Sequence, residues 1–159
     1  MKKCFLFLLI VFLGLTLQAN IRLPHILSNG MVLQQKANTK LWGWASPNEK
    51  IKITTSWNNN TIETSAGGNA NWKIDIQTPP AGGPYTIILQ GENKIVLEDI
   101  WIGEVWVCSG QSNMEWNYNK GVKSIKEDLD HLGKLNIKLF FVPKATSKTA
   151  QDDIESKWT

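Results

Sequence analysis

The residues of this sequence with the most capacity for chemistry stand together in Ser109-Gly110-Gln111-Ser112-Asn113-Met114, directly after the apolar run Val105-Trp106-Val107-Cys108. A serine on a sharp turn that follows a strand has its hydroxyl exposed, and backbone N–H groups beside it can point at a developing oxyanion. Gly110 removes a side chain where the chain must bend and a substrate must approach. Gln111 and Asn113 each offer an amide that can bond a substrate or brace the turn. The chemistry this arrangement suits is acyl transfer through Ser112 as nucleophile. A Gly-x-Ser triplet alone arises by chance about once in a chain of this length, and its position after a strand adds only modestly to the signal.

A serine hydroxyl is almost un-ionised at neutral pH and needs a base to take its proton. The sequence holds two histidines. His131 falls between the inward positions Leu129 and Leu132 of an expected helix, which turns it mainly toward solvent. His25 precedes the first strand and belongs to a different unit from Ser112. Asp128, Asp130, Asp152 and Asp153 read as solvated carboxylates. Cys108, inside an apolar strand, reads as a packed and inert thiol. Glu104 and Glu115 flank the serine but lie eleven residues apart across a turn, a spacing that implies no facing carboxylate pair of the kind glycoside hydrolysis requires.

The elements that must position these residues begin with a leader. Met1-Lys2-Lys3 is followed by 14 apolar-type residues, Cys4–Leu17, and then Gln18-Ala19. This pattern reads as a secretory signal peptide cleaved after Ala19, since the run falls short of the roughly 18 to 20 residues that span a bilayer. The expected location is secreted or periplasmic, with no stable membrane insertion after cleavage. The full chain carries 17 Lys plus Arg against 14 Asp plus Glu. Without Lys2 and Lys3 the balance is 15 against 14, or +1, and no basic cluster suggests a nucleic-acid partner. Cys108 is then the one cysteine left, so no intrachain disulfide is expected.

Residues 20–98 read as an all-β sandwich, jelly-roll-like, because short alternating runs recur between turn signals and no 3.6-residue period persists. Asn29-Gly30 precedes Met31–Gln35. Lys40–Ala45 puts Leu41 and Gly43 on one face and Trp42 and Trp44 on the other, until Ser46-Pro47-Asn48 breaks it. Ile51, Ile53, Thr55 and Trp57 alternate with Lys50, Lys52, Thr54 and Ser56, and Asn58-Asn59-Asn60 turns the chain into Thr61–Ser65. Trp72, Ile74 and Ile76 mark a further strand, followed by Tyr85–Gln90 and Lys94–Leu97. Trp57 and Trp72 are expected in the core, which leaves Trp42 or Trp44 as a surface aromatic for sugar stacking.

After residue 98 the period changes. Val105–Cys108 reads as a central parallel strand buried on both faces. Val122, Ile125, Leu129, Leu132 and Leu135 form the apolar stripe of a helix opened by a Ser124/Glu127 capping box. Ile137–Val142 reads as a second buried strand, so residues 99–159 would be the first βαβ unit of an α/β domain, incomplete by themselves.

The stretch "WVCSGQSNMEW" resembles the nucleophile block of the sialate O-acetylesterase family, a branch of the SGNH/GDSL-type hydrolases. "SNGMVLQQ" and "LWGWASPNEKI" are similar to the opening strands of the β domain that precedes the hydrolase in that family, and "GGPYTIILQG" with "LEDIWIGEVWVCSGQSNM" resembles the junction. The resemblance runs from about Ile21 to Thr159. It implies that Ser112 is the nucleophile and its backbone N–H an oxyanion donor, that the substrate is an O-acetylated sugar or sialic acid, and that an acetyl-serine forms without metal or other cofactor. The family's downstream Gly block and Asp-x-x-His block have no counterpart in these residues. The chain is therefore expected to be an exported carbohydrate O-acetylesterase represented by its N-terminal part and inactive alone. The alternative is a secreted carbohydrate-binding β-sandwich with a hydrolase remnant.

Overall fold

The structure, a computed structural model, describes residues 20–116, 119 and 135–159. The leader over 1–19, the expected helix up to Leu132 with its capping box, His131, Asp128 and Asp130 lie outside the described residues. Among those described, no helix is long and apolar enough to cross a membrane.

Seven strands follow in chain order: β1 (Val32–Gln34), β2 (Asn38–Trp44), β3 (Lys50–Thr55), β4 (Asn60–Ser65), β5 (Asn71–Gln77), β6 (Gly82–Gln90) and β7 (Lys94–Gly103). They make a five-stranded sheet in the order β1-β7-β6-β3-β4 and a two-stranded sheet of β2 and β5. The alternation read from the sequence sets their faces. Ile51, Ile53 and Thr55 of β3 are buried while Lys50 and Lys52 are exposed, and Leu41 of β2 is buried between half-buried Trp42 and exposed Lys40. The inner faces of both sheets meet in one core, in which Leu41, Trp72 and Ile76 of the small sheet pack with Ile51, Ile53, Ile87, Leu89, Leu97 and Ile100 of the large one. Each such side chain removed from water contributes about 1.5–3 kcal/mol, which is what allows a sandwich of this size to close.

The turns follow local chemistry. Asn48 and Asn59 take positive φ angles of 64° and 52°, which asparagine accepts more readily than most residues. Asn58 accepts bonds through Oδ1 from the Asn60 N–H at 3.0 Å and the Thr55 hydroxyl at 2.8 Å, closing the β3–β4 hairpin. Glu49 is buried and caps two turns at once, accepting from the backbone N–H groups of Ser46 at 2.9 Å and Glu92 at 2.7 Å.

Two features differ from the sequence reading. The last sandwich strand does not stop near residue 98. β7 continues to Gly103 because β1 pairs alongside its end in parallel, Val32 with Trp101 through Gln34 with Gly103, and this burial draws Ile100 and Ile102 into the core. Beyond Glu104, the expected buried strand Val105–Cys108 has no ladder partner among the described residues and lies exposed, with Trp106 at 83% and Val107 at 90%. Cys108 is an exposed free thiol, not a packed one. Ile137–Val142 likewise forms no strand beyond a single bridge between Phe140 and Trp158, and Ile137, Leu139, Phe141 and Val142 are exposed. A strand buried on both faces needs neighbours to hydrogen-bond and layers to cover it. Neither run has them here.

The C-terminal stretch instead lies against the sandwich. Leu139 and Thr159 exchange backbone bonds at 2.8 and 3.0 Å, Phe140 packs on Trp158, and the Trp158 indole donates to the Ile26 carbonyl at 2.9 Å. The Lys138 ammonium meets Asp99 at 2.9 Å.

Candidate active site

The turn that carries Ser112 is built by its own backbone. Residues Ser112–Glu115 make one turn of 3₁₀ helix, with the Met114 N–H bonded to the Gln111 carbonyl at 2.9 Å and the Trp116 N–H to the Asn113 carbonyl at 3.2 Å. A Cβ at Gly110 would stand 2.5 Å from Cγ of the exposed Met114 side chain, which would have to turn aside to admit it. Gln111, Ser112 and Asn113 are all exposed, so the hydroxyl and both amides share one solvent-facing turn. Among the described residues no hydrogen bond is made to the Ser112 hydroxyl. The turn is tied down beyond the serine by an ion pair between Glu115 and Lys144.

The way into this turn is fixed by β1 and β7. Glu104, the first residue past β7, accepts from the Gln34 side-chain amide at 3.0 Å and from the Gln35 amide at 2.7 Å. These two bonds, with a smaller attraction from Lys36, hold its carboxyl below the usual glutamate range. Glu104 is thus bonded to two glutamine amides and Glu115 to a lysine.

His25 and Asp153, read separately from the sequence as a lone histidine and a solvated acid, are brought together. Asp153 accepts from the His25 ring Nδ1 and from the His25 backbone N–H, both at 2.8 Å. Partial burial would raise the Asp153 pKa, but the two bonds from His25 and one from the Ile154 N–H outweigh it and the carboxyl sits below its ordinary value. His25 and Asp153 line an open cleft of about 580 Å³ together with Arg22, Leu23, Trp44, Gln151 and Asp152. The Arg22 guanidinium lies 5.2 Å from the centre of the Trp44 ring. The separation of 128 residues left no local signal of the pair. Neither residue hydrogen-bonds Ser112, and among the described residues no three His, Cys, Asp or Glu side chains gather as a metal site.

The chain is similar to curated proteins over most of its length. The mouse protein is 29% identical over 143 residues, covering 84% of this chain, and the human protein is 30% identical over 104 residues, covering 59%. Both are named for one activity. Its relatives are the sialate O-acetylesterases. A solved carbohydrate acetylesterase from Xanthomonas citri shares the fold, with a TM-score of 0.75 and 29% identity over 87% of this chain. The chain spans about a quarter of the mouse sialate O-acetylesterase, 26%, and 32% of the Xanthomonas citri enzyme. No family model matches it.

Proposed function

We propose that this chain carries the nucleophile-bearing part of an exported carbohydrate O-acetylesterase. The observation that carries the reading is the exposed Gly110–Met114 turn, whose serine hydroxyl has no hydrogen-bond partner among the described residues, in a chain related to sialate O-acetylesterases. Ser112 attacks the acetyl carbonyl, the sugar oxygen leaves as the alcohol, and water then hydrolyses the acetyl-serine. The Ser112 backbone N–H donates to the oxyanion, while Gln111 and Asn113 bond the sugar. The substrate is an O-acetylated sialic acid or another acetylated sugar. Residues 1–19 direct the chain out of the cytoplasm, and export would leave Asn20 as the first residue, which terminal sequencing of the secreted protein checks.

Residues 1–159 by themselves are expected to turn over acetyl esters little or not at all, because no base reaches Ser112 among the described residues. The exposed apolar side chains of Trp106, Val107, Leu139 and Phe141 support the same reading, since they are the positions a completed α/β sheet would cover. The test is acetate release from O-acetylated sialic acid by the gene's complete product, wild type against Ser112→Ala. Loss of release in the variant supports the assignment, and an undiminished rate refutes it.

A further inference from the structure

We propose that Gln34, Gln35 and Glu104 form a clamp that positions the Ser112 segment on the sandwich, so that β1 acts as a positioning element for the nucleophile. The inference rests on the reading of Ser112 given above, but its geometry stands without it.

Gln34 and Gly103 are the last paired residues of the parallel β1–β7 ladder, and the Gln35 N–H closes on the Gly103 carbonyl at 2.8 Å. Successive residues of a strand normally point to opposite faces, yet both glutamines converge on the one carboxylate that follows the ladder. The Gln34 amide donates to Glu104 Oε2 and the Gln35 amide to Oε1. The other end of each amide is also used. Gln34 Oε1 accepts from the Val105 N–H at 2.9 Å, and Gln35 Oε1 accepts from the Ala81 N–H at 3.0 Å. The backbone beneath is fastened as well, since the Thr78 hydroxyl donates to the Gln34 carbonyl at 2.6 Å.

Three of these four side-chain bonds therefore fall on one spot, the exit of the chain from the sandwich at Glu104 and Val105, and the fourth anchors Gln35 to the start of β6. Among the described residues no strand pairing holds the chain between Val105 and the Ser112 turn. Seven residues separate Val105 from Ser112, a reach of up to about 24 Å, so a small change of direction at Glu104 becomes a displacement of several ångströms at the serine. Misplacement of a reacting group by about 1 Å can cost on the order of a hundredfold in rate. A network that fixes direction at the start of such an arm positions the nucleophile without touching the substrate.

The experiment has two arms. In the 159-residue chain with Cys4→Ser, a nitroxide on Cys108 and amide exchange at Val105 report order in the segment. Glu104→Ala, and Gln34→Ala with Gln35→Ala, should sharpen the nitroxide spectrum and speed Val105 exchange by roughly tenfold or more, with exchange at Ile53, Ile87 and Leu89 unchanged. Glu104→Gln, which keeps an oxygen for one of the two amides, should fall between. Unchanged spectra, or loosening of all the core amides together, overturn the clamp. In the gene's complete product, Glu104→Ala should lower kcat for acetate release at least tenfold with KM changed by less than threefold. A loosened segment with normal kcat overturns the positioning role, whereas activity that survives Ser112→Ala refutes the esterase reading and leaves the spectroscopic result standing.

Discussion

Gly43→Ala should destabilise the sandwich severely, and the reason lies in one close approach. Gly43 is paired with Trp72 across β2 and β5, and its open side faces the N-terminal segment. A Cβ at this position would stand less than 3.0 Å from the Arg22 carbonyl oxygen and 3.2 Å from Trp72 Cζ2 and Nε1. Arg22 is held there by two backbone bonds with Trp44, at 2.8 and 3.0 Å. To admit the methyl group the segment must lift, which gives up both bonds at about 1 kcal/mol each. Crowding of the Trp72 ring adds about 1–3 kcal/mol. Replacing glycine by alanine returns about 0.5–1 kcal/mol through the unfolded chain, so the net loss is about 2–4 kcal/mol. At about 4–8 °C per kcal/mol for a domain of 60–100 residues, Tm should fall by roughly 8–32 °C in circular dichroism. Gly103→Ala is the internal control, because its nearest neighbour beyond the adjoining residues is Val32 Cγ1 at an ordinary 3.9 Å. A fall for Gly43→Ala no larger than the control's would refute the close-packing argument.

Glu49→Ala should cost about 2–4 kcal/mol in urea unfolding, since it leaves the Ser46 and Glu92 N–H groups without their buried acceptor. Thr78→Val keeps the shape but removes a hydroxyl that accepts from the Ala37 N–H at 3.0 Å and donates to the Gln34 carbonyl, and a loss of about 1–3 kcal/mol is expected by the same assay. Asp153 gives a pH signature. Its folded pKa is depressed, so its contribution is fully present above the unfolded value of 3.8 and is lost as pH falls through the lower folded value. Near-UV circular dichroism should therefore show an acid transition below pH 3.8 to which Asp153 contributes and which Asp153→Asn makes shallower, and an unaltered transition in that variant would disprove the linkage.

The sandwich was legible because half-buried strands write their faces into the sequence. The Ile51/Ile53/Thr55 alternation, the Asn58–Asn60 turn and the inward Trp72 appear in the structure where the period of two puts them. Trp42, Trp57 and Trp158 pack partly against the core, while Trp44 takes the Arg22 guanidinium at the edge of the open cleft. The end of β7 was misjudged because an apolar run that continues past a boundary does not reveal which sheet it joins. Its parallel pairing with β1, from the other end of the sandwich, extends the strand to Gly103. Burial of Val105–Cys108 was inferred from composition, which records a demand for cover and not the presence of it. The link between His25 and Asp153 and the convergence of Gln34 and Gln35 on Glu104 depend on tertiary proximity, and neither residue type nor local spacing announces them.

The strand order has a consequence for the sequence of events during synthesis. β7 lies between β1 and β6 in the large sheet, although it is the last of the seven strands to be made. β3 and β4 can associate through a short hairpin as they appear and β6 joins β3 across some thirty residues, Thr55 with Ile87, but β1 must wait for a partner some seventy residues behind it, Val32 for Trp101. Contacts of such separation form late and slowly. The sheet is completed only when Gly103 is available, and the next residues to follow are Glu104 and the serine turn. The strand that closes the sheet thus ends only nine residues ahead of Ser112.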